Sequence, residues 1–165
     1  MDLSTYLTTM AQIAGVLVGF ANLANAISRP GISTSDSKLN KLRIIVTTES
    51  GLILMALCVL PLLYSPTSDV FRGLSFFGAF VGWAYHVLMF ARVKALTGKT
   101  FPLVVSKYFH FAQVIFIFSP FLLNGFGAFG IENVVFVYCL IIFALFLFLC
   151  TFFCRLLYSV LPTFD

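Results

Sequence analysis

The chain has 165 residues, of which 61% are hydrophobic and only 10% are charged, and its formal net charge is +4. Soluble domains carry charge on about a quarter of their residues, so this composition, together with a mean hydropathy of +1.05, excludes a soluble globular protein. It predicts an all-α integral membrane protein. Because few residues remain outside the apolar segments, we expect one transmembrane domain over residues 1–165 and no separate catalytic domain.

Five apolar segments follow one another along the chain, and each is close to the ~20 residues that a helix needs to cross a bilayer. They cover residues 3–27, 42–64, 70–91, 103–123 and 134–158. Residues typical of turns separate them, as at 29–40, where Pro30 and Gly31 stand among serines and threonines. The sequence therefore predicts five transmembrane helices. The alternative is four spans preceded by an interfacial or re-entrant N-terminal helix.

A stripe of small and polar residues runs along one side of the first segment. At 100° of helical rotation per residue, six residues fall within roughly 80° of one another: Thr8, Gln12, Gly15, Gly19, Asn22 and Ala26. Polar side chains that face lipid lose their hydrogen bonds, so we expect the stripe to face other helices, a second copy of the chain or water. Asn25, in the same segment, joins these residues as one expected to line a pore or to pack between helices.

Three positions in this segment also form a small-xxx-small pattern, Ala11-x3-Gly15-x3-Gly19. Such a pattern lets two helix backbones approach closely in a membrane. One interpretation is tight packing against a neighbouring helix of the same subunit. The other is self-association of several copies around an axis, with Gln12 and Asn22 directed inward.

A polar layer is predicted inside the membrane, near its cytoplasmic side. Counted at 1.5 Å per residue from the ends of the spans, four residues lie at about 9–12 Å from the boundary: Asn22, Glu49, His86 and His110. A carboxylate at this depth is costly unless it is paired or hydrated. Glu49 is therefore the best single candidate for a functional residue, with Lys107, His110 or His86 as its partner. The layer is interpreted as a hydrogen-bonded cluster that fixes helix packing, as a gate or ion-binding layer, or as a proton relay.

Nine of the ten basic residues fall on one side of the membrane if the chain crosses five times with its N-terminus outside. They are Arg29, Lys38, Lys41, Arg43, Arg92, Lys94, Lys99, Lys107 and Arg155, whereas Arg72 falls on the other side. Since Lys and Arg are enriched in short cytoplasmic loops, that side and the C-terminus are predicted to be cytoplasmic. The basic residues are expected to contact anionic lipid or, multiplied by symmetry, to bind a cytoplasmic polyanion such as a nucleotide or oligonucleotide.

Three runs carry a resemblance to known proteins: AQIAGVLVGFANLANAI at residues 11–27, KLRIIVTTESGLI around Glu49, and LPLL at residues 60–63. They resemble the first two spans of small, uncharacterised bacterial membrane proteins that begin with an AQ-x-x-G-x-x-x-GFA helix. In outline, a multi-span chain with a polar first helix and a basic cytoplasmic face is similar to the membrane effectors of bacterial anti-phage systems, of the Hailong HalA type. That resemblance implies a bacterial inner membrane and an oligomeric channel held closed by a nucleic-acid signal. No motif matches residue by residue, so no site residue follows from it.

Residue types that would indicate catalysis do not stand together in the sequence. Glu49 is the only acid well inside a predicted span, and no HExxH motif or nucleophile with a base is found, so we expect no enzymatic activity. Cysteines occur without a CxxC motif or a Cys/His cluster, so neither a metal nor a cofactor is expected. The sequence favours a homo-oligomeric channel or membrane-disrupting assembly. The alternatives are a small proton- or ion-coupled transporter and a non-catalytic accessory subunit of another membrane complex.

Overall fold

The computed structural model describes residues 2–27, 34–64, 67–97, 115 and 118–160, and all the regular secondary structure in these ranges is helical. The α-helices are α1 (Leu3–Ile27), α2 (Thr34–Val59), α3 (Ser68–Thr97), α4 (Ser119–Gly125) and α5 (Val134–Val160). Two 3-10 helices, Leu60–Leu63 and Ile131–Asn133, continue α2 and precede α5. The all-α prediction is confirmed for this part of the chain.

Three stretches of the described residues are long and apolar enough to cross a membrane: Leu3–Ala24, Ile44–Leu63 and Ile131–Thr151. They coincide with the first, second and fifth predicted spans. The third predicted span, 70–91, lies within α3, which is a continuous helix of 30 residues. Most of the fourth, 103–123, lies outside the described residues, and its described end belongs to α4. The number of crossings and their orientation stay predictions.

The start of α2 differs from the expected one. The helix begins at Thr34 rather than at residue 42, so the second half of the connection predicted at 29–40 is helical. Serine, threonine and aspartate are favoured in turns but equally at helix N-termini, which explains the wrong boundary. At its other end, α2 ends as an α-helix at Val59 and continues as a 3-10 helix through Pro61, because proline has no N–H for the helical ladder.

The chain divides into two compact units, the first formed by Met1–Val59 and Phe143–Asp165 and the second by Leu60–Ile142. In the first unit, α1 and α2 form an antiparallel hairpin: Ala14 lies next to Gly51, and Ala21 packs against Ile44 nearer the other end of the pair. The α1 side of this contact is a buried seam of small residues and one leucine, which we call the alanine seam: Leu7, Ala11, Ala14 and Ala21. Small side chains here let the two helices approach closely.

The C-terminal half of α5 completes the first unit. Leu149 lies beside Gly51, and Phe153 packs on the Ala21–Ile44 cluster, with its ring centroid 6.5 Å from that of Phe20. Since residue numbers rise in the same direction along α1 and this part of α5, the two helices run parallel. Both α1 and α5 contact α2 at Gly51. A Cβ atom at this position would overlap the side chain of Val18.

In the second unit, aromatic rings fill the space over the glycines of α3. The ring of Phe121 lies 3.2 Å from the position that a Cβ atom on Gly78 would take, and a Cβ atom on Gly82 would overlap the ring of Phe118. Tyr138 of α5 is fully buried and makes edge contacts with Phe71, at 5.1 Å between ring centroids, and with Phe121, at 5.8 Å. These contacts join α3, α4 and the start of α5 into one core.

Candidate functional site

The polar stripe of α1 (Thr8, Gln12, Gly15, Gly19 and Asn22) lies beside the alanine seam and is left uncovered. Gln12 follows Ala11 and Asn22 follows Ala21, so the stripe is turned from the seam by about 100° around the helix. Thr8, Gln12, Gly19 and Asn22 are exposed and Gly15 is partly buried. Within the first unit, therefore, no described helix packs over Thr8, Gln12, Gly19 or Asn22, whereas the seam beside them is buried against α2.

The glycines of the stripe do not share one partner. A Cβ atom on Gly15 would lie 3.5 Å from Cε of Met55, an ordinary contact, whereas one on Gly19 would meet no atom of the described residues within 4 Å. Ala11, the third member of the small-xxx-small pattern, belongs to the buried seam. The small-xxx-small pattern therefore faces α2 at Ala11 and open space at Gly19. Packing among the described residues does not account for the glycine at position 19.

The amides of the stripe keep hydrogen-bonding capacity. Nδ2 of Asn22 donates to the carbonyl oxygen of Val18 at 2.9 Å, which satisfies one of its two N–H groups and directs the side-chain oxygen away from that carbonyl. Gln12 makes no hydrogen bond with any described residue and is exposed. The side chain of Asn25, also expected to line a pore, lies outside what the structure describes.

Apolar side chains border the stripe on both sides. Val16 and Leu23 are exposed on α1. On α2, Leu52 and Val59 are also exposed, and they stand three residues before and four residues after Met55, on the side of α2 that contacts Gly15. The polar residues thus form a narrow band between two apolar borders.

Thr48 is a residue that the sequence reasoning missed. Its Oγ1 atom is buried and has no hydrogen-bond partner among the described residues. Thr48 stands one heptad before Met55, so it lies on the side of α2 that contacts Gly15 of the stripe. Heptad spacing along α2 is the signal that could have found it.

Glu49 lies on a different side of α2. It is partly buried, and it precedes Gly51 by two positions, which places it about 160° around the helix from the surface that faces α1. The structure therefore does not bring Glu49 and Asn22 together within the first unit. The side chain of His86, in α3, lies outside the described part, as do Lys107 and His110 entirely, so the predicted polar layer stays a prediction.

Of the predicted basic contacts, Lys41 is the one that can be placed next to the stripe. Its side chain is exposed, it stands two heptads before Met55, and the Ala14–Gly51 and Ala21–Ile44 register sets it beside the last turn of α1. Arg92, in α3, is partly buried. The remaining predicted contacts fall on side chains or segments that are not described: Arg29, Lys38, Arg43, Lys94 and Lys99.

A second polar cluster, also missed from the sequence, lies in the second unit. Asn124 is fully buried, and its Nδ2 donates to Ser75 Oγ and to the carbonyl oxygen of Val134, both at 3.0 Å. Ser75 in turn donates to the carbonyl oxygen of Phe71 at 2.8 Å. These bonds tie α3, α4 and α5 together, so this cluster holds the fold and offers no open surface.

Within the described ranges, no three His, Cys, Asp or Glu side chains are grouped closely enough to bind a metal ion together. Comparison with known proteins yields no relative: no family model, no curated protein and no solved structure matches the chain. The structural feature that points toward a function is the uncovered polar stripe on a helix that is apolar enough to cross a membrane.

Proposed function

We propose that this chain is a subunit of a homo-oligomeric membrane channel or membrane-permeabilising assembly, and that the polar stripe of α1 lines its path. One observation carries the proposal: Gln12, Gly19 and Asn22 are uncovered on a helix that belongs to a candidate membrane span. The assembly catalyses no reaction. Its membrane is the inner membrane of a bacterium, with the N-terminus outside.

The energetic argument concerns the amide side chains. Moving an amide from water into alkane without a hydrogen-bond partner costs about 4–8 kcal/mol, and α1 carries two such groups on its uncovered side. Contact with lipid would leave Gln12 without partners. Water in a central path, or the same stripe of another copy, supplies them, while Val16 and Leu23 beside the stripe suit lipid or a neighbouring subunit.

Repetition of α1 around an axis would give the path a defined profile. Gln12 and Asn22 are ten residues apart, or about 15 Å of helix, so each would form a ring of amides. Gly15 and Gly19 lie between them and add no side chains. The path would therefore have two polar constrictions with a wider section between them.

The packing of the first unit supports α1 as a span rather than an interfacial helix. Contacts with α2 run along the hairpin from the Ala14–Gly51 pair to the Ala21–Ile44 pair, and α1 is parallel to the end of α5. Both of these neighbours are themselves candidate spans. A helix lying flat at the interface would cross them instead of following them.

Gating is proposed to act through the cytoplasmic basic residues. Lys41 is exposed beside the last turn of α1, where a bound polyanion would lie at the end of the stripe. A nucleotide or oligonucleotide that binds one state of the assembly better than the other would shift the balance between closed and open states. In bacterial anti-phage defence, such a signal would control the permeability of the host membrane.

The test is the conductance of purified protein in planar bilayers. Asn22→Leu removes an amide from the path and Gly19→Leu fills the open space, so each is expected to lower single-channel current at least tenfold or abolish it. Gly73→Leu is the matched control, because Gly73 is also exposed on a helix, and a Cβ atom added to it would meet no atom of the described residues within 4 Å. Undiminished current from both Asn22→Leu and Gly19→Leu would contradict the proposal.

A proton-coupled transporter is the second candidate, because Glu49 is partly buried inside the candidate span Ile44–Leu63. This function predicts a pH-dependent uptake of solute into liposomes that Glu49→Gln abolishes. The channel predicts a passive current that Glu49→Gln leaves in place. An accessory subunit would instead co-purify with a stoichiometric partner of a different sequence.

A further inference from the structure

The connection between α4 and α5 exposes large apolar side chains. We call residues 126–131, with the sequence FGAFGI, the aromatic loop. Phe126, Phe129 and Ile131 are 65%, 41% and 62% exposed. A turn that faces water is normally built from polar residues with glycine and proline, so these three side chains indicate a different surrounding medium.

Four of the six backbone N–H groups of the aromatic loop are bonded within the protein. The N–H groups of Phe126, Gly127, Ala128 and Gly130 donate to the carbonyl oxygens of Leu122, Asn124, Leu123 and Gly127 at 2.9–3.1 Å. The positive φ angles of Gly127, 72°, and Gly130, 87°, make these tight turns accessible.

Side chains satisfy two further carbonyl groups of this region. Arg72 Nε donates to the carbonyl oxygen of Gly125, and Asn133 Nδ2 donates to that of Phe129, both at 3.0 Å. In water a loop can leave its polar groups to the solvent, but in lipid each unpaired group costs several kcal/mol, so they must be paired within the protein. The aromatic loop pairs four of its six N–H groups within the protein, so fewer of its polar groups depend on water than in an open loop, and it carries apolar tips.

Contacts with the core of the second unit also hold the aromatic loop in place. Asn124, directly before it, is fully buried and bonded to Ser75 and Val134. The rings of Phe76 and Phe126 meet edge-on at 4.9 Å between centroids, and the Phe76 ring lies 3.0 Å from the position of a Cβ atom on Gly125. The exposed side chains of Phe126, Phe129 and Ile131 therefore extend from a backbone that is packed and hydrogen-bonded to the rest of the unit.

Charge argues against an anionic surface as the partner of this loop. The charged side chains described near it are Asp69, Arg72 and Glu132, and Arg72 lies 3.7 Å from Asp69 in an ion pair. Two acids against one base leave no positive patch to attract anionic headgroups. The described connection between α2 and α3 also exposes apolar side chains, Leu63 and Tyr64, at the end of a candidate span.

From these observations we infer that the aromatic loop inserts into the bilayer at the N-terminal end of α5. Phe126, Phe129 and Ile131 then lie among the acyl chains next to the headgroups. The candidate span Ile131–Thr151 begins inside the loop, which places the tips next to lipid. Asp69 and Glu132, both exposed, remain in water. This insertion depends on apolar contact and not on lipid charge, and it holds whether or not the protein conducts ions.

The experiment uses tryptophan fluorescence of the full chain in phosphatidylcholine vesicles. Trp83 is the single tryptophan, so Trp83→Phe combined with Phe129→Trp reports on the loop alone. We expect blue-shifted emission, at least twofold quenching by lipids brominated near the headgroup, and little quenching by aqueous iodide. Adding phosphatidylglycerol is expected to leave these values unchanged.

The matched control is Trp83→Phe with Glu132→Trp, which places the probe at an exposed acidic position beside the loop. Its fluorescence is expected to be quenched more by iodide and less by brominated lipid than that of the Phe129→Trp variant. Strong iodide quenching of Phe129→Trp without quenching by brominated lipid would overturn the inference. Protection of Phe129→Trp from both quenchers in the vesicles would also overturn it, since protein and not lipid would then cover the loop.

Discussion

The two units of this protein use the same kinds of residue in opposite ways. In the second unit, Gly78 and Gly82 stand four residues apart on α3 and both are covered by phenylalanine rings, and the amide of Asn124 is fully buried and bonded. In the first unit, Gly15 and Gly19 have the same spacing on α1, but a side chain on Gly19 would meet open space. The amide of Asn22 on that helix is exposed.

The contrast between the glycines of α3 and those of α1 shows that a glycine pair of this spacing does not by itself identify an interface between subunits. Its meaning depends on whether the protein's own side chains fill the space above the glycines. On α3 they do, so the pair contributes to folding. On α1, Met55 contacts the Gly15 position but no described residue covers Gly19, so Gly19 remains open to water or to another copy of the chain.

The largest expected effect separates the two glycine pairs. Gly82→Leu forces a side chain into the Phe118 ring and is expected to lower the free energy of unfolding by about 3 kcal/mol or more. Gly19→Leu is expected to leave it unchanged or to raise it by about 0.8 kcal/mol through helix propensity. Thermal unfolding in detergent, followed by circular dichroism, measures both. Equal losses of stability would remove the distinction between the units.

Replacement of Asn124 should lower the free energy of unfolding more than replacement of Asn22, in line with the two glycine pairs. Asn124→Leu leaves Ser75 Oγ and the Val134 carbonyl without their donor and is expected to cost about 1–3 kcal/mol of unfolding free energy. Asn22→Leu is expected to cost nothing in stability while reducing conductance. Denaturant titration of both variants checks this prediction. A stability loss at Asn22 as large as that at Asn124 would mean that the stripe is part of the folded core.

A smaller effect concerns ion preference at the end of the stripe. Lys41 is exposed beside the last turn of α1, so its charge in each subunit favours anions in the proposed path. Lys41→Glu is expected to change the chloride-to-potassium permeability ratio severalfold toward potassium, less so in 1 M salt, where the screening length falls to about 3 Å. Reversal potentials in a salt gradient measure the ratio. Lys41→Arg, which keeps the charge, should behave like the original protein.

The smallest effect lies at the N-terminal end of α1, outside its candidate span. The backbone N–H of Thr5 donates to Oδ1 of Asp2 at 2.6 Å, and this bond holds the pKa of the Asp2 carboxyl below its ordinary value of 3.8. A carboxyl with a lowered pKa stabilises the folded state above its unfolded-state pKa, and this contribution is lost as the pH falls through the folded-state pKa.

The protection of the Thr5 amide against hydrogen exchange, measured relative to its intrinsic rate at each pH, is therefore expected to fall only below about pH 4. Asp2→Asn should remove the acid dependence while keeping a side-chain oxygen for the helix start. The exchange rate, compared with that of an amide in the middle of α1, measures the effect. An acid dependence that persists in Asp2→Asn would assign it to a different group.

Composition and residue spacing alone predicted the helical class, five spans, of which the structure supports three as candidates, and the polar stripe with its glycines. These features depend on hydrophobicity and on the angular spacing of residues within one helix, both of which are local properties. For that reason the stripe could be located to the residue, from Thr8 to Asn22, before any neighbour was known.

Which helix covers which face became known from the packing of the helices. It showed that the alanine seam, one step around from the stripe, binds α2 through Gly51, that phenylalanines fill the Gly78 and Gly82 positions, and that Asn124 joins three helices. It also placed Glu49 on the side of α2 that faces away from α1. Each of these depends on contacts between residues distant in the chain, since a glycine or an asparagine has the same local pattern whether a neighbour covers it or leaves it open.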